Sequence, residues 1–211
     1  MTTQPTIEQR VADRFKLDVA KHKLTVLHED GLYRHLRART PKTNAYWFDI
    51  TTWPGTLTIT GDMGAFVFSR EPDMLPLFRS DHGRINPHYW AQKEQTGAPT
   101  KTYSEDVFRQ VVWGDIREYG HEYRGLAKAI QAEIFDTGAS QDEQTARDAL
   151  EHFEHAGFTF TDVWEMSFSE YSYHYLWCCH AIVWGIAAYD RATVEKPAPV
   201  LVAAATAEVG A

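Results

Sequence analysis

The sequence predicts an α+β protein with an N-terminal helix, an antiparallel meander sheet of about five strands and a helical C-terminal half packed on that sheet. Apolar and polar residues alternate between residues 23 and 70, and glycine-containing turns interrupt the alternation. Apolar residues recur every three or four positions through most of residues 104–191. With 211 residues, of which 44% are apolar, the chain is long enough to bury one sizeable core. We therefore expect one domain over residues 1–191, sheet-rich from 23 to 70 and helical from 71 to 191, followed by a mobile tail over residues 192–211.

The first elements are an amphipathic helix and the five strands of the meander. Thr6 and Gln9 have capping-box spacing, and apolar residues recur every four positions from Ile7 to Val19, which predicts a helix over about residues 6–21. Glycine tolerates the positive φ of tight turns, so Asp30-Gly31, Pro54-Gly55 and residues 61–64 are expected to reverse the chain. The strands are predicted at residues 23–28, 32–39, 46–53, 57–61 and 65–69.

Period-two alternation sorts the strand side chains onto two faces. The apolar face is expected to form the core and to be broken mainly by Arg34; it carries Leu24, Val26, Leu32, Leu36, Phe48, Ile50, Leu57, Ile59, Ala65 and Val67. We call the opposite face the polar face. It carries Thr25, Tyr33, His35, Arg37, Arg39, Trp47, Asp49, Thr51, Trp53, Thr58, Thr60 and Asp62.

Helices are predicted beyond the sheet from capping residues and apolar stripes. Asn86-Pro87 suits the start of a short helix, and Ser104 suits the N-cap of a longer one that ends near Gly120. Leu126, Ile130 and Ile134 continue the stripe towards Gly138. The remaining predicted elements are a helix capped by Ser140 and ending at Gly157, a sixth strand over residues 158–164, and a long buried helix over residues 169–191.

Charge and composition exclude several classes of protein. The net charge is −8, but residues 1–101 carry 14 basic and 11 acidic side chains whereas residues 102–211 carry 7 and 18. An acidic helical half repels phosphate backbones, which disfavours general nucleic-acid binding unless the first half acts alone. That acidic surface is either simply solvated or meets a basic partner protein. The N-terminus lacks the pattern of a signal peptide, and the apolar run over residues 175–189 is too short and too polar to span a bilayer, so a cytoplasmic protein without membrane contact is expected.

Few motifs in the chain suit a metal ion, a cofactor or a nucleophile. Two pairs of residues have the spacing of one helical turn: Glu151 with His155, and His174 with Cys178. The plainer interpretation of the first pair is a salt-bridged surface, and that of the second is an inert buried cysteine. Cys178 and Cys179 are adjacent, which rules out an ordinary disulfide between them and any metal-knuckle spacing. Phosphate-binding, dinucleotide-binding and metalloprotease signatures are absent, so we predict no metal and no cofactor.

The polar face holds the candidate functional residues. Arginines fork onto phosphate or carboxylate groups, indoles stack on bases and threonines orient hydroxyl groups, which makes this face a candidate ligand site. The predicted ligand-binding residues are Arg37, Trp47, Thr51, Trp53 and Thr60. His35 supported by Asp49 or Asp62 is the candidate for acid/base catalysis, provided that their strands are neighbours. The alternatives are an ordinary wet sheet face, or indoles that the protein's own helices cover.

Four stretches of the chain resemble one protein family. They are YWFDITTWPGTLTITGDMGAFVFSR (Tyr46 to Arg70), DMLPLF, INPHYWAQKE and YHYLWCCHAIVWGIAAYD. These runs are similar to a family of uncharacterised proteins encoded by bacteriophages and prophages, and the likeness extends from about the first hairpin to Asp190. The resemblance implies an accessory protein made in a bacterial cytoplasm during infection or lysogeny.

The leading hypothesis is therefore a non-catalytic phage accessory protein that binds a host or antiviral-defence component, or a nucleotide-like ligand. An enzyme acting on a phosphorylated or nucleotide substrate is the alternative, with His35 as acid/base and Arg37 on the phosphate. A virion assembly protein is a third possibility, disfavoured because the sequence shows neither repeats nor a coiled coil. The oligomeric state is left open.

Overall fold

The computed structural model describes residues 5–194, with only the backbone at position 81. Backbone contacts divide these residues into two compact units. The sheet unit comprises residues 13–96 and 178–194, and the helical unit comprises residues 5–12 and 97–177. Two helices, α1 (Ile7–Asp18) and α7 (Tyr173–Val194), have residues in both units. The boundary of the single domain expected over residues 1–191 stays a prediction.

The sheet unit is built on a five-stranded antiparallel meander, which confirms the predicted fold class. Its strands lie in the spatial order β1-β2-β3-β4-β5, so each strand pairs with the next one along the chain. The strands are β1 (Lys23–Asp30), β2 (Tyr33–Arg39), β3 (Phe48–Trp53), β4 (Thr56–Gly61) and β5 (Gly64–Ser69). Two short helices follow, α2 (Leu75–Phe78) and α3 (Pro87–Ala91), with a 3₁₀ turn at Asp81–Gly83 between them. Asn86 caps α3 as predicted, since its side chain accepts a hydrogen bond from the Tyr89 amide.

The register of β5 differs from the prediction. Ala65 and Val67 were expected in the core, but Phe66 and Phe68 are the buried residues of this strand. The turn between β4 and β5 has only two residues, Asp62 and Met63, so Gly61 pairs with Gly64. This pairing sets the two phenylalanines opposite the buried Ile59 and Leu57, which reverses the faces expected from counting along the chain.

A bulge in β1 changes the other end of the sheet. Val26 pairs with Leu36 and His28 with His35, so Leu27 is an extra residue in β1 and its side chain is 48% exposed. The strand continues to Asp30, two residues past its predicted end, and the hairpin turn is Gly31-Leu32. The bulge places His28 on the polar face.

The apolar face of the sheet packs against the later part of α7. Gly185 lies so close to β3 that a Cβ atom built on it would be 2.5 Å from Ile50 Cδ1. The adjacent Trp184 meets Phe48 edge to face, with 6.0 Å between ring centroids. Phe48 and Ile50 are almost fully buried. A side chain larger than that of glycine at position 185 would force the buried Ile50 side chain or the helix to shift.

Arg34 is the charged residue on the apolar face, and an ion pair explains its burial. Its two terminal nitrogens donate to the Asp73 carboxylate at 3.0 and 3.1 Å. Burial acts to raise the pKa of Asp73, but the hydrogen bonds from Arg34 and the Leu75 amide outweigh it and lower the pKa. The pair satisfies a charge that an apolar surface alone would disfavour.

The helical unit has its own phenylalanine-rich core. Leu126, Ile130 and Ile134, which were predicted to form an apolar stripe, are buried in one cluster with Phe108 and Leu150. The unit contains β6 (Lys101–Tyr103), α4 (Glu105–Tyr119), α5 (Leu126–Ile130), a π-helical turn (Gln131–Phe135), 3₁₀ turns (Ala139–Gln141 and Val163–Glu165), α6 (Glu143–Glu151), β7 (Glu154–His155), β8 (Phe158–Thr159) and β9 (Ser169–Tyr171).

Two of the three predicted helix caps in this unit are confirmed. Thr6 and Gln9 exchange the two hydrogen bonds of a capping box at the start of α1, and Ser104 accepts from the Val107 amide at 3.3 Å. The prediction of Ser140 as the cap of α6 was wrong. Asp142 caps that helix, whereas the buried Ser140 hydroxyl donates to the Glu105 carboxylate at 2.7 Å.

Two predicted elements near the end of this unit were also wrong in extent. The sixth strand expected over residues 158–164 is limited to Phe158–Thr159, paired with Glu154–His155. The first residues of the long helix expected over 169–191 instead form β9, which pairs with β6. Alternation and helical spacing are both ambiguous over such short runs.

The last residues that the structure describes are helical. The helix α7 continues through Val194, so Ala192, Thr193 and Val194 do not belong to an irregular tail. The rest of the expected mobile tail, residues 195–211, lies outside the described residues. Among the helices described, none has the length and apolar character needed to cross a membrane.

Candidate functional site

The polar face brings three of the predicted residues together around a buried carboxylate. Arg37 on β2 lies directly opposite Asp49 on β3, and His35 lies diagonally across from it, opposite Thr51. Arg37 donates through Nε and Nη2 to the two carboxylate oxygens at 2.8 and 2.7 Å. His35 Nε2 lies 2.8 Å from Asp49 Oδ2. The prediction of a His35–Asp49 pair required β2 and β3 to be neighbours, and they are.

The ionised carboxylate of Asp49 selects the tautomer of the His35 ring. Burial acts to raise the pKa of Asp49, but hydrogen bonds and charge from Arg37 and His35 outweigh it, so the pKa is lowered and the carboxylate is ionised near neutrality. An ionised carboxylate only accepts hydrogen bonds, so His35 Nε2 carries the proton. In neutral His35 the Nδ1 atom then holds a free lone pair. Asp49 fixes the tautomer as well as the orientation of the ring.

Two open depressions adjoin the polar face, and the second also includes Arg34 of the apolar face and its strand partner Thr52. The first has a volume of about 300 Å³ and is lined by Arg37, Arg39, Asn44 and Trp47. The second has a volume of about 350 Å³ and is lined by His28, Tyr33, Arg34, His35, Thr51, Thr52 and Trp53. Arg37 borders one depression and His35 the other, so the carboxylate that holds both side chains lies between the two.

Four of the five predicted ligand-binding residues divide between these depressions, and Thr60 lines neither. Trp47 is half-buried and lines the first, with the Arg37 guanidinium 5.9 Å from its ring centroid. Trp53 is 41% exposed and lines the second together with Thr51. Thr60 lies opposite Asp49 on β4. Both indoles therefore keep accessible surface on this face.

Asp62 is the one candidate that the structure places elsewhere. It follows β4 in the turn before β5, and its carboxylate accepts a hydrogen bond from the Tyr46 amide at 2.6 Å. Tyr46 has a φ of +59°, so Asp62 stabilises an unusual backbone conformation at the start of the Trp47 segment. This is a structural role, and His35 receives its carboxylate from Asp49 alone.

Three residues of the face were missed by the sequence analysis. Lys23 lies directly opposite Arg39, and Asn44 lines the first depression. The alternation of β1 could have placed Lys23 beside Arg39, because both residues fall on the polar face. His28 depends on the bulge at Leu27, for which the sequence carries no signal.

Comparisons with protein-family models, with curated proteins and with solved structures gave no match. The resemblance to phage-encoded proteins therefore stays a prediction. The function of the polar face has to be inferred from its own chemistry.

The two other spacings noted in the sequence do not form sites. The helix α6 ends at Glu151 and His155 lies in β7, where its Nε2 lies 3.0 Å from the Arg124 carbonyl oxygen, so the two are not one helical turn apart. Burial raises the pKa of the Cys178 thiol to about 12, which leaves almost no thiolate at neutral pH. Within residues 5–194, no group of three or more His, Cys, Asp or Glu side chains is placed to hold a metal ion.

Proposed function

We propose that this protein binds a small anionic ligand with a flat ring, of the nucleotide class, in the first depression of the polar face. The observation that carries the proposal is the meeting of two guanidinium groups, an amide and an indole in one open depression of about 300 Å³. Guanidinium groups bind phosphate oxygens through paired N–H donors, and an indole stacks on a base.

The charges at this end of the sheet favour an anion. Lys23 and Arg39 are directly opposite each other on β1 and β2, and like charges in that position repel. Neither side chain forms an ion pair with another residue of the described chain. A phosphate group between them would relieve the repulsion and use donors that have no protein acceptor.

Arg37 has a different part in this proposal from the one that the sequence suggested. Its Nε and Nη2 atoms are committed to Asp49, whereas Nη1 forms no hydrogen bond with the described residues. The bidentate pair therefore holds Arg37 in place, with one edge of the guanidinium left for a ligand and its plane near Trp47. Arg39, with all of its donors available, is the stronger candidate for direct phosphate contact.

The resemblance described above supplies the biological setting of the proposal. We place the protein in a bacterial cytoplasm, as a phage or prophage accessory protein that sequesters a nucleotide-like molecule or uses it to bind a host or antiviral-defence component.

The test is mass spectrometry of small molecules released by denaturing the protein purified from bacterial cells. Wild type should release a phosphorylated, ring-bearing compound near one equivalent per chain. Arg39→Gln should release much less. Arg70→Gln should match wild type, since Arg70 is exposed and, among residues 5–194, pairs with Glu71 alone, at 3.5 Å. Equal release from both variants would contradict the proposed location.

A second candidate function is supported by the hydrogen bond between His35 and Asp49. A carboxylate-held imidazole with a free Nδ1 lone pair, facing an open depression, is the arrangement of a general base. For an enzyme acting on a nucleotide or phosphodiester, His35→Ala should abolish turnover and Asp49→Asn should reduce it strongly, with Arg70→Gln unaffected. Unchanged turnover in His35→Ala would remove this candidate.

A further inference from the structure

The bulge in β1 places a second imidazole, His28, beside His35 on the polar face, and neither nucleotide binding nor general-base catalysis uses His28. His28 and His35 are directly opposite each other on neighbouring antiparallel strands. Side chains in that position have Cβ atoms about 4.5–5.5 Å apart and share one face of the sheet. Both histidines line the second depression, of about 350 Å³.

One imidazole of the pair is already prepared as a metal ligand. Asp49 accepts the Nε2 proton of His35, which leaves Nδ1 with a lone pair directed away from the carboxylate. Metal-binding histidines commonly donate their other N–H to a carboxylate in this way, and the carboxylate fixes the tautomer and raises the basicity of the ligand. The carboxylate is itself held by two hydrogen bonds from Arg37.

The second imidazole is free to move towards the first. The side chain of His28 is exposed and forms no ion pair or side-chain hydrogen bond with the other described residues. Zinc binds imidazole nitrogen at about 2.0–2.1 Å. The separation of directly opposite Cβ atoms lets two imidazole rings converge on one ion at this distance by side-chain rotation alone.

We propose that His28 and His35 bind one divalent transition-metal ion, with zinc as the probe, at an open site on the polar face. The protein supplies two nitrogen ligands, and water or an anionic ligand fills the remaining positions, because the described residues offer no third metal-binding side chain there. Asp49 acts as the positioning residue for His35. The proposal is independent of nucleotide binding, since it concerns the second depression and is tested with the metal alone.

The experiment is a zinc titration without nucleotide, followed by calorimetry and by the ¹H–¹⁵N signals of the histidine rings. Wild type should bind one zinc ion per chain, with the signals of His28 and His35 shifting together. His28→Ala and His35→Ala should each weaken binding at least tenfold. His121→Ala is the matched control, because His121 is exposed and approaches only Glu122, at 3.7 Å; it should bind zinc as wild type does.

Asp49→Asn separates positioning from a direct contribution to binding. It should weaken zinc binding about 10–100-fold while both ring signals still shift at high zinc. His28 is exposed, so His28→Ala should unfold at the same temperature as wild type, which excludes loss of fold as the cause of weaker binding. The proposal is overturned if wild type binds no zinc, or if His28→Ala binds it as tightly as wild type does.

Discussion

Replacing Asp49 by asparagine removes one charge from the polar face without changing the size of the side chain. The carboxylate is 9% exposed and accepts three hydrogen bonds, two from Arg37 and one from His35. An asparagine side chain keeps one oxygen acceptor, but its NH₂ group meets donors, so at least two of the three bonds weaken or break. Hydrogen bonds to a charged group contribute about 1.5–3 kcal/mol each, and the freed donors of the part-exposed partners regain bonds with water. We expect the free energy of unfolding to fall by about 1–2 kcal/mol.

The effect of Asp49→Asn should depend on pH in a defined direction. The folded-state pKa of Asp49 is lowered, so its stabilisation is fully present above the unfolded-state pKa of about 3.9 and is lost as the pH falls through the lower folded-state value. The part of the difference that depends on the ionised Asp49 carboxylate should therefore persist down to about pH 5. It should shrink below about pH 4, because the wild-type carboxylate becomes protonated.

Urea denaturation followed by circular dichroism, at pH values from 7 to 3, measures this difference directly. A change below about 0.5 kcal/mol at pH 7 would show that Asp49 does not anchor the two side chains. A difference between wild type and variant that grows as the pH falls from about 4 to 3 would refute the lowered pKa of Asp49.

Three further predictions concern the packing, a helix cap and the cysteines. Gly185→Ala should lower the free energy of unfolding by about 1 kcal/mol or more, because its Cβ would be 2.5 Å from Ile50 Cδ1 in a filled core. The control Gly114→Ala changes a helical position where nothing lies within 4 Å of the added Cβ, so it should raise the free energy of unfolding by up to ~1 kcal/mol. Equal urea midpoints for the two variants would contradict the close packing of Gly185 against Ile50. Ser104→Ala should lower the free energy of unfolding by about 1 kcal/mol, because α4 loses its N-cap, whereas Ser104→Asn should retain most of the stability. An unchanged urea midpoint in Ser104→Ala would contradict the capping role. Alkylation with iodoacetamide at pH 8 should leave Cys178 unmodified until the protein is denatured, because burial raises the pKa of its thiol to about 12; rapid labelling of the native protein would contradict that burial.

The meander could be predicted because its determinants are local. Gly31, Gly55 and Gly64 all have positive φ, so the turns that they allow divide the chain into strands of the right length. Three of the four connections are two-residue turns, and a longer segment over residues 40–47 joins β2 to β3. The five strands pair in sequence order, which is the simplest arrangement for such short connections. The helix caps at Thr6 and Ser104 were predicted for the same reason, since a cap is a contact between residues three apart.

The errors arose where one residue changes the outcome or where the partner is distant in sequence. A two-residue turn before β5 exchanged Ala65 and Val67 for Phe66 and Phe68 in the core. The pairing of β6 with β9 joins residues about 70 positions apart, and no local pattern reveals it. At α6 the predicted cap, Ser140, donates instead to the Glu105 carboxylate, 35 positions away in the sequence, and Asp142 caps the helix.

Some features of the candidate site could likewise be predicted from local sequence patterns, and others could not. Alternation placed His35, Arg37 and Asp49 on one face, and the register of β2 and β3 brought them within hydrogen-bonding distance. The bulge that adds His28 to this face involves one extra residue in an edge strand. Asp62 has the right chemistry and the right face, but the hairpin turn directs its carboxylate to the Tyr46 amide.

An equilibrium titration shows whether the cationic end of the polar face, at Lys23 and Arg39, binds a nucleotide-like anion. Mono-, di- and triphosphates of the common nucleosides should be titrated at low salt into wild type, Arg39→Gln, Trp47→Ala and the control Arg70→Gln, with tryptophan fluorescence or calorimetry as the readout. We expect saturable binding of at least one nucleotide to wild type. The affinity should be about tenfold or more weaker in Arg39→Gln and in Trp47→Ala, and it should be unchanged in Arg70→Gln. Absence of binding by wild type, or equal affinity in wild type and Arg39→Gln, would contradict the proposed binding.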